Sequence, residues 1–216
     1  LEEMMVEHKP KAKSGIAHTR WATHGEPSEY NAHPHGSNDE VYIVHNGIIE
    51  NHESIRARLK KEGYKISSQT DSELIAHLIH FYKQKLGKTA QAMIEATKEL
   101  KGAYSIAVID KDKNGKVFAA RQKSPLLIGR GIEENFVASD PLAIASITEG
   151  FYLLEDGDFA EISKDKIKIF DETSKEVQRN EAFIEATATA TSRGSYKHFM
   201  EKEIYEQPES VGNTIN

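Results

Sequence analysis

Arg20 closes a short run, Gly15-Ile16-Ala17-His18-Thr19-Arg20-Trp21, beside the glycine-containing segment Ala22-Thr23-His24-Gly25. A guanidinium in such a place can clamp a carboxylate through two parallel N–H bonds, and Thr23 and His24 can add donors. The plainer reading of an isolated Arg is a surface ion pair. Trp21, the single Trp of the chain, reads first as a core anchor. A second candidate is Val44-His45-Asn46-Gly47-Ile48. Asn-Gly after a buried strand is ordinarily a turn, and on pattern alone that reading prevails. The chemical alternative is two donors, the Asn46 amide and the Gly47 N–H, converging on one developing negative oxygen. Asp71, in the first turn of an expected helix, either complements the helix dipole or holds a ligand ammonium.

Histidine is clustered: seven of the 10 lie within the first 52 residues. His33 and His35 flank Pro34, and His77 and His80 are one helical turn apart. A zinc site needs a third ligand and usually a carboxylate, and no His-Glu-x-x-His helix is present, so no metal is expected. The chain has 0 Cys, which excludes disulfides, thiolate metal ligands and a cysteine nucleophile from these residues.

The elements that must position these residues follow from pattern. Gly15–Trp21 reads as a short strand. Residues 22–39 are rich in Gly, Pro, Asn and Ser and read as one long loop, of the kind that is functional or mobile. Val41–Val44 reads as a buried strand ended by Asn46-Gly47. Helices are expected after Asn51, after the capping pattern Thr70-Asp71-Ser72-Glu73, and from Thr89 to Leu100. Strands are expected at Ala103–Asp110 and Lys116–Arg121 around the turn Asp112-Lys113-Asn114-Gly115. Further short strands are expected at Leu126–Gly129, Asn135–Ala138, Tyr152–Leu154, Phe159–Ile162 and Ile167–Phe170. Ser139-Asp140-Pro141 reads as the start of a short helix. The tract around Ala186–Thr191 reads as a linker, with helix resuming near Tyr196. Helices in one block and hairpins in another favour α+β with mainly antiparallel sheets.

The 216 residues have 38% hydrophobic content, enough for a core and against global disorder. A net charge of −6 argues against nucleic acid, and a mean hydropathy of −0.58 with no long apolar run argues against a transmembrane helix. Leu1-Glu2-Glu3-Met4 does not resemble a signal peptide, and a cytoplasmic location is expected.

Several motifs carry more than pattern. Ser14-Gly15-Ile16-Ala17-His18-Thr19-Arg20-Trp21-Ala22-Thr23-His24-Gly25-Glu26-Pro27 and Asn31-Ala32-His33-Pro34-His35 resemble the glutaminase domain of the glutamine–fructose-6-phosphate aminotransferase (isomerizing) family, the glucosamine-6-phosphate synthases. So do Val44–Asn51, Gln69–Glu73, Ser139-Asp140 and Lys197–Pro208. The Arg-Trp and Asn-Gly motifs also occur in other class II glutamine amidotransferases, and the segment Met200–Pro208 is what singles out the aminotransferases.

The resemblance runs from about Ser14 onward. It implies an N-terminal-nucleophile hydrolase fold, a four-layer αββα sandwich with antiparallel sheets. It implies hydrolysis of the glutamine amide by an N-terminal Cys thiolate, with ammonia passed to a sugar isomerase domain that converts fructose 6-phosphate, toward UDP-N-acetylglucosamine. Arg20 would then bind the α-carboxylate, with Thr23 and His24 nearby, and Asp71 would bind the α-ammonium. Asn46 and Gly47 would form the oxyanion hole, and Trp21 would lie on a loop covering the glutamine. The same resemblance implies no cofactor and a homodimeric parent.

Residues 1–195 are expected to be the glutaminase domain, lacking the family's first strand and its Cys. Residues 196–216 would be a linker toward an absent isomerase domain. The competing expectation is a glutamine- or glutamate-binding module without catalysis.

Overall fold

The computed structural model describes residues 12–21, 25–148, 150–183 and 193–215. Two antiparallel sheets carry the molecule. The larger contains β1 (His35–Ser37), β2 (Val41–Ile49), β3 (Gly102–Asp110), β4 (Lys116–Gln122), β8 (Phe159–Ser163), β9 (Ile167–Phe170) and β10 (Glu176–Val177), in the order β1-β2-β3-β4-β8-β9-β10. The smaller has the order β11-β7-β5-β6, from β5 (Leu127–Arg130), β6 (Asn135–Ala138), β7 (Gly150–Leu153) and β11 (Glu181–Phe183).

Helices α1 (His52–Lys61), α2 (Ser72–Leu86) and α3 (Thr89–Glu99) cover one face of the larger sheet. Val41, Ile43 and Ile49 of β2 point into this helical side and pack with Leu59 of α1, Leu74, Ile75, Leu78 and Ile79 of α2, and Met93 of α3. The opposite face meets the smaller sheet through Ala119, Leu126, Ile128, Leu154, Ala160, Ile162 and Ile169. Beyond the smaller sheet, Ile144 in the turns that follow the 3-10 helix Pro141–Ala143 packs on Leu127 and Phe151. Charged groups also tie elements together. Lys83 of α2 reaches Asp110 at 2.9 Å, Glu40 at 3.0 Å and Asp112 at 3.0 Å, and these carboxylates raise its pKa against the burial that would lower it. Arg179, between β10 and β11, grips Asp158 with Nε and Nη2 at 2.9 and 2.6 Å.

Most expected elements are present within a residue or two, including β6, β9, α3 and the 112–115 turn. Several expectations change. Residues 15–21 form no strand: their backbone instead runs beside the end of β2, with Arg20 in the left-handed region at φ 41°. The segment 25–39 is not one structureless loop, since it contains the 3-10 helix Glu29–Asn31 and β1. Asn46-Gly47 does not end β2, which runs on to Ile49 with Gly47 paired to Tyr104. The strand can continue because Gly47 takes φ 127°, where a Cβ would lie 2.0 Å from the Ala103 carbonyl oxygen. Trp21 is no core anchor: it is 90% exposed.

Asn51 starts α1 without capping it through its side chain. That amide instead accepts from Lys101 N and donates to Glu99 O, joining α1 to the α3–β3 connection. The helix α4 (Phe199–Ile215) follows near the expected point. The expected linker tract Ala186–Thr191 lies outside the described residues, as do Thr23 and His24.

Candidate functional site

A cavity of about 330 Å³ opens where the end of β2, residues 18–21, His33 and the N-terminus of α2 meet. His18, Arg20, Trp21, His33, His45, Asn46, Gly47, Thr70, Asp71 and Ser72 line it. Five residues singled out from sequence, Arg20, Trp21, Asn46, Gly47 and Asp71, therefore converge on one space although they span 52 positions of the chain. Strand alternation divides the labour on β2. His45 faces the helices, where its Nδ1 lies 2.9 Å from Ser72 Oγ, and Asn46 faces the opposite side, 2.5 Å from His18 Nε2.

Asp71 is 4% exposed at the start of α2. Its Oδ2 accepts from the Ile49 N–H at 2.8 Å, which pins the helix start to the end of β2. The four-residue capping pattern works differently from expectation. Thr70 Oγ1 does accept from Glu73 N at 3.3 Å, but the Glu73 carboxylate turns back to Ser67 N, Ser67 Oγ and Ser68 N at 2.8, 2.6 and 2.6 Å. Burial alone would raise this carboxyl. The neighbouring His77, with the Ser67 and Ser68 donors, holds it well below the usual carboxylate range instead.

Arg20 donates from Nη1 to Glu26 O at 3.1 Å and from Nη2 to Gly25 O at 3.4 Å, so its guanidinium is fastened to the loop that begins at Gly25. That loop is fastened in turn to the bend before α2. Asn31 Nδ2 donates to Glu26 O and to Gln69 Oε1, both at 3.0 Å, and Gln69 N donates to Asn31 Oδ1 at 2.9 Å. A continuous chain of bonds thus runs from Arg20 through Glu26, Asn31 and Gln69 to the residue pair Thr70-Asp71.

The imidazoles around the cavity form a packed group. His18 and His33 have ring centroids 4.2 Å apart, and His33 and His35 4.9 Å. Burial, and then the neighbouring His18, His35, His45 and Arg20, lower the pKa of His33 to about 3. Burial lowers that of His45 to about 4, although Asp71 pulls the other way. Both rings are therefore neutral near pH 7, and Arg20 and Asp71 contribute a guanidinium and a carboxylate to the cavity lining. Among the described residues, no three His, Cys, Asp or Glu side chains come together as a metal cluster. His77 and His80 lie apart from this space. His77 Nδ1 meets Ser37 Oγ at 2.8 Å, and His80 Nδ1 meets Tyr64 Oη at 2.7 Å.

Sequence reasoning overlooked His18, His45, Thr70, Ser72, Asn31 and Gln69 as site-builders. Only the crowding of histidines near the N-terminal end hinted at the first two. A guanidinium, a carboxylate and a side-chain amide around a cavity of this size could take a small polar molecule that carries groups of both charges.

The chain is also similar to known proteins. The family model described as a glutamine amidotransferase domain matches residues 18–146. The chain is 51% identical over 215 residues to a Pseudomonas aeruginosa protein named glutamine–fructose-6-phosphate aminotransferase [isomerizing], and 47% identical over 215 residues to its namesake from Escherichia coli K12. These alignments cover 100% of the chain, so the likeness extends in front of Ser14, and 35% of each relative; the chain spans about a third of their length. A solved glutamine phosphoribosylpyrophosphate amidotransferase from B. subtilis superposes with a TM-score of 0.59 at 23% identity, over 71% of this chain and 34% of that one. A glutamine aminotransferase class-II domain protein from Silicibacter pomeroyi gives 0.51 at 20%, over 67% and 72%. The antiparallel α+β fold is thus that of the N-terminal-nucleophile hydrolases, and the chain belongs to the glutamine amidotransferase family.

Proposed function

We propose that this chain is the glutaminase part of a glucosamine-6-phosphate synthase, which releases ammonia from glutamine for transfer to fructose 6-phosphate. The convergence of Arg20, Asp71, Asn46 and Gly47 on one cavity carries this reading, together with identities of 47–51% over the whole chain. Arg20 takes the α-carboxylate of glutamine and Asp71 the α-ammonium. That places the side-chain amide toward Asn46 and Gly47, whose amide NH2 and backbone N–H receive the oxygen as it becomes negative. Trp21, exposed at the rim, closes over the bound substrate, and Thr23 and His24, which follow it in sequence, add donors.

Residues 1–195 serve as the glutaminase domain, and 196–216 lead toward an isomerase domain. The whole protein works as a cytoplasmic homodimer and needs no cofactor for the glutaminase step.

With 0 Cys in the sequence, the thioester mechanism requires a thiolate from outside these 216 residues. The same observation favours a second reading, a glutamine- or glutamate-binding module without turnover. A glutaminase assay on the full-length gene product separates the two. Glutamate release that is abolished by thiol alkylation supports the enzyme. Saturable glutamine binding without any release of glutamate supports the module and rejects the enzyme.

A further inference from the structure

We propose that His18 is a positioning residue whose fixed tautomer turns the Asn46 side chain so that its NH2, not its carbonyl, serves the cavity. This rests on the glutaminase reading above. The starting point is a backbone donor, which has no choice of role: the Arg20 N–H donates to His18 Nδ1 at 2.8 Å. Nδ1 must then hold a lone pair, and a neutral imidazole with that arrangement carries its proton on Nε2. Nε2 stands 2.5 Å from Asn46 Oδ1, so the ring donates to that oxygen. Were the Asn46 amide flipped, two N–H groups would face each other across the same gap. The relay Arg20 N–H to His18 to Asn46 therefore leaves NH2 as the end of the amide that can meet a substrate oxygen.

The backbone of Arg20 makes this possible. Its φ of 41° folds the N–H back over the side chain two residues earlier, a conformation uncommon for a residue with a Cβ. One residue thus both carries the cation of the cavity and sets the tautomer that orients the oxyanion donor. Around the His18 ring, His33 packs at 4.2 Å between centroids and His45 lies next to Asn46 in β2, and both rings are neutral near pH 7.

Two variants separate orientation from simple packing. In His18→Asn the shorter side chain can still accept from the Arg20 N–H but cannot reach Asn46. In His18→Gln the amide NH2 falls near the place of Nε2 and can still donate. In the full-length protein, H18N is expected to lower kcat about 10- to 100-fold, with the glutamine KM within about twofold, and H18Q to recover most of the loss. In an Asn46→Ala background, H18N should change kcat by less than about twofold, because the residue through which it acts is gone.

Equal losses in both backgrounds, or an effect on KM alone, would overturn the proposal while leaving the glutaminase reading intact. A wild-type protein without glutaminase activity would overturn both. Should H18N fail to fold, the unmodified protein still decides: nitrogen-15 NMR of the His18 ring should show the proton on Nε2, and a proton on Nδ1 would reject the relay.

Discussion

At the scale of single residues, the site joins chemistry to an unusual backbone. Arg20 sits at φ 41°, a region that costs a non-glycine residue of order 1 kcal/mol or more unless its surroundings hold it there. Here Gly25 O, Glu26 O and His18 Nδ1 all hold it. The guanidinium plane is consequently set before a ligand arrives, which favours binding a carboxylate through two parallel bonds. Lysine offers a point charge on a flexible stem and cannot copy that fork. Arg20→Lys in the full-length protein is therefore expected to raise the glutamine KM about tenfold or more, with a smaller change in kcat, read from steady-state glutaminase kinetics. An unchanged KM would remove Arg20 from the carboxylate role.

Elements bring these residues together through two joints. The first is β2 itself. Because Gly47 adopts φ 127° against the Ala103 carbonyl, β2 continues four residues past His45 to Ile49, whose N–H anchors Asp71. A methyl group at Gly47 would meet backbone, which cannot move aside as a side chain does. Gly47→Ala is expected to cost roughly 2–4 kcal/mol in urea unfolding and to abolish glutaminase activity, whereas Ile48→Ala, at a half-exposed neighbour, should be mild by comparison.

The second joint is the reciprocal amide pair Asn31–Gln69, which sets the Arg20 loop relative to α2. Asn31 is buried, so Asn31→Ala strands the Gln69 N–H and releases Glu26. The expected result is a loss of about 1–3 kcal/mol and a rise in glutamine KM, because cation and anion would no longer be held at fixed spacing. Full stability with an unaltered KM would show that the loop is held by other means.

For the whole molecule, the buried imidazoles tie stability to pH. His45 has a folded pKa of about 4 against an ordinary 6.5, so between those values the unfolded chain binds a proton that the folded chain refuses. Its stability contribution is complete above about pH 6.5 and declines by up to about 1.4 kcal/mol per pH unit as the pH falls toward 4. His33, His35 and His80 are lowered too, and act in the same direction. The Glu73 carboxyl, held below its ordinary range, adds a loss at still lower pH. Urea midpoints followed by circular dichroism should be level above about pH 7 and fall steadily below pH 6.5. A level profile down to about pH 4.5 would mean that these rings gain solvent and protonate within the folded state.

Much of this was legible in the sequence because it depends on near neighbours. Alternation and turn residues are local, so β3, β4, β6, β8 and β9 were readable, as were α2 and α3 from their helical spacing. The Arg-Trp and Asn-Gly motifs pointed to the family, and their residues do line one cavity. Other features depended on partners distant in the chain. Asn-Gly has the local preference of a turn, and only the β3 backbone against Gly47 makes it a mid-strand position. Glu73 has the spacing of a capping box, but the Ser67 and Ser68 donors outcompete the cap. Trp21 has the composition of a core residue and is exposed, because the cavity rim and not the core receives it. The sequence by itself determined which elements form and which residue types are on hand. Tertiary packing alone decided the direction of the Asn46 amide and the neutrality of His33 and His45, since these depend on burial and on partners distant in the chain.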